Sequence, residues 1–217
     1  MDIYLVRHTA PDIAKGVCYG QADIGVKETF LAEAVVIKKH LPEKVDAIYS
    51  SPLKRCKVLA DHLFKDQAIQ WKDGLKEINC GKWELKLWDE IPRDEIDPWM
   101  DDHLNMRIPG GESYMEVFER VGRCFDSIVA EHHLAALSGD NVVASSRSVV
   151  LVAHGGVIRS ILAHITQTPL QDSFKLFSLH YGCVVKVVYE TNGFSHHQVL
   201  CNIEQEKETH KPTISRG

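Results

Sequence analysis

Apolar positions along this chain fall into two kinds of block. Short continuous runs, Ile3–Val6, 45–50 (VDAIYS), 68–71 (AIQW) and Ser148–Ala153, are bounded by polar or turn-forming residues and read as buried strands. Between them lie stretches with helical spacing. Glu28–His40 places Phe30, Leu31, Ala34, Val35 and Ile37 on an apolar face and ends at Pro42. A second helix starts at Pro52, where the missing N–H does no harm, and runs to Lys65 with Leu53, Cys56, Leu59, Ala60 and Leu63 inward. A long one runs from Ser113 through Phe118, Val121, Phe125, Ile128 and Val129 to the SGDN loop. VIRSILAHI follows the last buried strand directly and stops before Pro169. Two further strands, near 182–190 and 195–203, flank an Asn192-Gly193 hairpin turn.

Strand and helix therefore alternate, which predicts an α/β protein: a three-layer α/β/α sandwich on a mostly parallel sheet. Residues 75–112 break the pattern. Tryptophan-containing patches, prolines and a Gly-Gly turn predict an irregular inserted lobe there, within one domain spanning 1–203. The tail 204–217 has almost no apolar content and is expected to be disordered.

Composition removes several classes of function. With 217 residues and 44% hydrophobic content the chain can fill a core, and a net charge of −5 argues against nucleic-acid or membrane-surface binding. The six cysteines show no CxxC pair and no zinc-like spacing. No secretory signal or bilayer-length apolar run is seen, so a reduced cytoplasmic protein is expected. The sequence allows a homodimer and names no assembly.

The chemistry lies where strands end. MDIYLVRHTA closes its strand on Arg7 and His8, and VVLVAHGG closes another on His154, Gly155 and Gly156. Carboxyl ends of parallel strands open on one edge, so His8 and His154 can face each other. Glycines opening a helix let backbone N–H groups approach an anion closely. Arg55, one turn into the helix after YSSPLKRC, can swing its guanidinium over the same edge. A lone histidine at a strand end is more often structural; two at equivalent ends are harder to dismiss.

RHT, YSSPLKRC, LKEINCGKWE and VAHGG, in that order over residues 1–200, resemble the histidine phosphatase superfamily, with its phosphoglycerate-mutase-like fold. The resemblance implies that His8 is the nucleophile, that Arg7 and Arg55 bind phosphate, that His154 is the second pocket histidine and that Glu77 is the proton donor. GVCYGQADIGV and PGGESYMEVFERV look like the α-ribazole phosphatase branch, whose enzymes remove the 5′-phosphate of α-ribazole phosphate in cobalamin nucleotide-loop synthesis. RHTAPD departs from the commoner RHG-(E/Q)-T, with Ile13 and Ala14 downstream, and makes a phosphoglycerate mutase less fitting. Leu85 stands where many relatives carry glycine.

The implied roles are chemically coherent. A neutral imidazole attacks phosphorus, and charge then develops on oxygens that Arg7 and Arg55 can hold in bidentate fashion. His154, protonated beside a dianion, and Gly155 complete the phosphate site. Glu77 protonates the leaving alcohol and later activates water. No metal or other cofactor is called for, and the expected partner is a small phosphate monoester. The alternatives are a broad or sugar-phosphate phosphatase with the same site, and a non-catalytic phosphate-ligand binder. Glu84 is read as structural or on the surface; His62, His132, His133, His164, His196 and His197 as non-catalytic; Trp83, Trp88 and Trp99 as core or as a platform for a substrate ring.

Overall fold

The computed structural model describes residues 1–137, 147–190 and 193–203. The expectations for the tail 204–217, for Asn192 and for most of the 138–148 loop fall outside them. Six strands, β1 (Asp2–Arg7), β2 (Ala47–Ser50), β3 (Ile69–Trp71), β4 (Ser148–Ala153), β5 (Val184–Glu190) and β6 (Gly193–Cys201), form one sheet in the order β3-β2-β4-β1-β5-β6. The β3-β2, β2-β4 and β4-β1 pairs are parallel, whereas β5 and β6 join antiparallel. Arg7 pairs with Ala153 in the β1-β4 register, which sets His8 beside His154. Two register shifts interrupt the β5-β6 ladder, between Val184 and Val185 and between Val188 and Tyr189.

Strand side chains alternate between two cores, as the pleat requires. Ile3, Leu5, Val149 and Leu151 pack with Val117, Val121, Phe125 and Ile128 of α4 (Tyr114–Leu137) and with Val157, Ile158 and Ile161 of α5 (Gly155–Thr166). Tyr4, Val6, Val150 and Val152 face the other way, against α1 (Phe30–Lys39) and α2 (Lys54–Leu63). The two cores give the three layers. Ser113 and Glu116 start α4 reciprocally: Glu116 N–H donates to Ser113 Oγ at 3.2 Å and Ser113 N–H to Glu116 Oε2 at 2.8 Å.

Three local expectations need correction. On α1 the buried positions are Ala34 and Ile37, with Phe30 and Leu41 packed beside them, while Leu31 and Val35 are exposed. A stripe spaced 30, 34, 37, 41 turns its neighbours 31 and 35 away from the sheet. The lobe is less irregular than its prolines imply: α3 (Arg93–Asp101) tolerates Pro98 inside it and begins just after Pro92. A further helix, α6 (Leu170–Leu176), follows Pro169, where the sequence reading placed nothing. Both short helices present their prolines as boundaries, and that disguises them in sequence. The lobe has its own small core of Cys18, Cys80, Trp83, Ile91, Ile96 and Ile108. Among the described residues no helix is long and apolar enough to cross a membrane.

Candidate active site

Arg7, His8, Ser51, Arg55 and His154 converge at the carboxyl edge of β1, β2 and β4. The histidine rings meet edge to face with centroids 5.1 Å apart, and both side chains are buried. His8 Nδ1 donates to the Thr9 carbonyl at 2.7 Å, an assignment that follows from the oxygen being able only to accept. Its Nε2 therefore carries the lone pair, and Arg55 Nε donates to it at 3.2 Å. Burial first, then the Arg55 and Arg7 charges, push the His8 pKa well below its ordinary value. An imidazole held neutral with a directed lone pair is the form a nucleophile needs.

The same causes act on His154. Burial foremost, followed by Arg55, His8 and Arg7, depress its pKa well below the usual histidine value. These neighbours favour the neutral ring, and the proton expected on His154 is one that a phosphate dianion would have to draw there. Its Nε2 lies 2.8 Å from Ser51 Oγ and 3.4 Å from Cys56 Sγ.

Arg55 reaches the edge from α2. It is fully buried, and its terminal nitrogens donate to backbone carbonyls, Nη1 to Ala22 at 3.2 Å and Nη2 to Gly20 at 2.6 Å. Each gives one N–H to the loop after β1, and Nε faces His8. Arg7 is placed differently. Its Nη1 donates to the Leu179 carbonyl, its guanidinium lies 3.9 Å from the Tyr181 ring centroid, and its Nε is buried with no hydrogen-bond partner among the described residues. That Nε is a donor waiting for an acceptor.

Glu77 reaches the same edge from the lobe. Gly156 N–H donates to its Oε2 at 3.1 Å and Ile78 N–H to its Oε1 at 3.1 Å. Gln21 and Arg120 hold its backbone carbonyl, Arg120 being fixed in turn by a two-pronged pair with Glu112 at 2.9 and 3.0 Å. A β-carbon on Gly156 would collide with the Glu77 carboxylate and the Tyr114 hydroxyl, and one on Gly155 would press on Arg7 at 3.2 Å. Glycine at the start of α5 is needed for this close approach.

Glu84, read from sequence as structural or surface, is structural. Its carboxylate accepts from the backbone N–H groups of Gly20 (2.9 Å), Gln21 (2.7 Å), Ala22 (3.2 Å) and Cys80 (3.0 Å). It thereby moors the loop whose carbonyls grip Arg55. The histidines read as non-catalytic lie away from the site: His132 on Tyr49 at 2.9 Å, His164 on Asp126 at 2.9 Å, His62 against Phe30.

A cavity of about 470 Å³ opens from this edge. Its lining combines Arg7, His8, Glu77, Gly155 and Gly156 with Trp88, Trp99, Met100, His103, Ile108 and Phe174. Trp88 and Trp99 are stacked, 21° apart with centroids at 6.0 Å, and the edges of both meet Trp83. Trp83 is core and donates to Glu95 at 2.8 Å; its two partners line the cavity. Sequence reasoning missed Tyr114, Arg159 and Phe174. Arg159 carried a usable signal, lying one helical turn after Gly155; Phe174 sits on the helix that was not foreseen. Among the described residues no group of three or more His, Cys, Asp or Glu side chains could hold a metal ion.

A parallel-strand edge bearing paired histidines, arginines and a glycine-opened helix defines a class of α/β proteins that handle phosphoryl groups. The chain belongs to the histidine phosphatase superfamily (branch 1), whose model matches residues 3–202. It is 31% identical over 177 residues to the metal-independent phosphoserine phosphatase of Arabidopsis thaliana, covering 76% of this chain and 69% of that one. Similarity to a putative phosphoserine phosphatase 2 of Hydrogenobacter thermophilus is 26% over 187 residues, 82% of this chain and 83% of that one. Among solved structures, the α-ribazole phosphatase of Shigella flexneri superimposes with a TM-score of 0.79 at 18% identity, over 95% of this chain and 100% of the other.

Proposed function

We propose that this phosphatase hydrolyses its ester through a phosphohistidine on His8, and that its substrate is α-ribazole 5′-phosphate. In this reading His8 Nε2 attacks phosphorus, the ester P–O bond breaks, and Glu77 gives its proton to the leaving alcohol oxygen. Glu77 then takes a proton from water, whose oxygen attacks phosphorus as the P–N bond breaks and phosphate leaves. Arg7, with its unpartnered Nε, binds the equatorial oxygens together with the backbone opening α5 at Gly155. Arg55 Nε and His154 complete the phosphate site, the dianion drawing a proton onto His154 that the free site withholds.

The observation that supports the substrate is the aromatic part of the cavity lining. Trp88, Trp99, His103 and Phe174 offer ring faces and edges to a leaving group much larger than serine or glycerate. A flat base on a ribosyl linker fits that chemistry, and the sequence stretches after RHT and before α4 point the same way. The free thiols fit a reducing compartment, and cytoplasmic work on a freely diffusing monoester is part of the proposal.

A second reading has its own support. The relatives named as phosphoserine phosphatases are the ones most similar in sequence among those above, and they favour a small carboxylate-bearing ester. Phosphate release in EDTA decides between the readings, comparing α-ribazole 5′-phosphate with phosphoserine, 3-phosphoglycerate and p-nitrophenyl phosphate. A preference for the ribazole ester of about a hundredfold in kcat/KM, about 2.7 kcal/mol of differential transition-state binding, is expected. Equal turnover of all four esters removes the α-ribazole assignment and leaves the phosphohistidine mechanism. Phosphoserine ahead of the rest favours the second reading, and loss of activity in EDTA contradicts a metal-free site.

A further inference from the structure

The cavity is lined by a cation that the proposed chemistry does not use, Arg159, set against Phe174 and Tyr114. Arg159 lies four residues beyond Gly155 on α5, about 6 Å along the helix axis. That separation is the reach of a leaving group's carbon skeleton, beyond the phosphate itself. Its guanidinium lies over the Phe174 ring, 4.8 Å from the centroid. A cation–π contact of this kind holds the guanidinium without using up any of its N–H donors. Of those donors, Nη1 reaches the Tyr114 hydroxyl at 3.4 Å, a long contact, and Nε is buried with no partner among the described residues. Charged donors taken out of water are normally satisfied by an acceptor, so this one is missing its partner.

We propose that Arg159 is a specificity-determining residue that donates to uncharged oxygen acceptors, hydroxyls of a ribosyl or similar sugar unit, on the leaving group of the substrate. The position of Glu77 favours neutral oxygens over a second anion. Gly156, Glu77 and Tyr114 crowd together at the base of the same wall, close enough that a β-carbon on Gly156 would strike both of the others. A carboxylate drawn to Arg159 would be brought towards Glu77 as well, which becomes a carboxylate as it gives its proton to the leaving group, and like charges in a shared cavity repel. Hydroxyls meet no such penalty and can both accept from Arg159 and donate to Tyr114. The inference rests on the phosphatase reading above, and assigns to that site the element between phosphate and ring.

The test is a ratio. For Arg159→Met, kcat/KM is measured on ribose 5-phosphate, which carries hydroxyls and no ring, on phenyl phosphate, which carries a ring and no hydroxyl, and on phosphoserine, which carries a carboxylate. The ratio of ribose 5-phosphate to phenyl phosphate is expected to fall at least tenfold, mainly through KM, and Arg159→Lys is expected to restore part of it. An unchanged ratio overturns the proposal and leaves Arg159 as packing for Phe174. A loss confined to phosphoserine overturns it in favour of an anion subsite. Kd values from calorimetry on the same three ligands give the same ratio without turnover. A wild-type protein that binds but hydrolyses none of them therefore sinks the phosphatase mechanism while still deciding the role of Arg159. If Arg159→Met is insoluble, Arg159→Gln is read in its place by the same ratio.

Discussion

Arg7, His8, Arg55 and His154 hang from the ends of β1, β4 and the helix after β2, set by a continuous ladder and two large cores. Trp88, Trp99 and Ile108 hang from a lobe whose core is a handful of side chains around Trp83. The first region holds its side chains in place by hydrogen bonds and strand register; the second shapes a wall chiefly by aromatic contact. Among the links between them, Glu84 moors the Gly20–Ala22 loop, Leu87 bridges to Val17, and Glu77 crosses from lobe to helix. Under the proposed function the two regions divide the labour, with chemistry vested in the sheet and choice of leaving group in the lobe.

The largest expected effect attacks the sheet side. His8→Ala should lower kcat by at least about 10³-fold, as loss of a nucleophile does, and abolish acid-labile phosphate labelling of the protein. Wild-type labelling in that variant would move the nucleophile elsewhere. Gly156→Ala acts at the junction: its β-carbon displaces the Glu77 carboxylate. A misplaced general acid should reduce kcat by about 10²-fold with a smaller change in KM, measured on an ester with a poor leaving group. Trp99→Leu tests the lobe alone. It should lower kcat/KM for aromatic esters about tenfold, near the upper end of what a ring contact contributes, and phosphoserine turnover much less. Equal losses on both would erase the division.

Glu84→Gln probes the link between the regions. Removing charge from a carboxylate that accepts from four backbone N–H groups should lower stability by about 2 kcal/mol, read as a fall in Tm. Because the moored loop carries the carbonyls that grip Arg55, a several-fold drop in kcat should accompany it. The smallest effect is a pH slope. His8 and His154 have folded-state pKa values below the unfolded value of about 6.5, so below that pH the unfolded chain binds protons the folded site refuses. Stability should therefore fall as pH drops through 6.5, by at most about 1.4 kcal/mol per pH unit for each histidine. The Tm of His8→Gln followed from pH 7.5 to 5.5 should fall less steeply than wild type; an identical slope would assign the acid sensitivity to other groups.

Much of the sheet side was legible in the sequence, because strand ends announce themselves: an apolar run stops and Arg7-His8 or His154-Gly155-Gly156 follows. The pairing of Arg7 with Ala153 then brings these groups together with no further information. Arg55 shows where such reading stops. Its place on α2 is periodic and predictable, yet its grip on Gly20 and Ala22 depends on the path of a loop with no periodicity. The depressed pKa of His154 was hidden for a related reason, since it arises from burial and four neighbouring charged or titratable groups that only the fold assembles. On the lobe side, prolines in α3 and before α6 masked helices, so the Phe174 shelf under Arg159 could not be foreseen.

One feature of the sheet bears on how the protein behaves at high concentration. β6 is nine residues long, and no described strand pairs with its outer edge. A flat edge of that length would invite another chain to add itself as a further strand. The two register shifts between β5 and β6 locally twist and bend the ribbon, spoiling the template before a second copy can align with it. Straightening those bulges should thus show itself first as aggregation during refolding, in a protein whose phosphate chemistry is untouched.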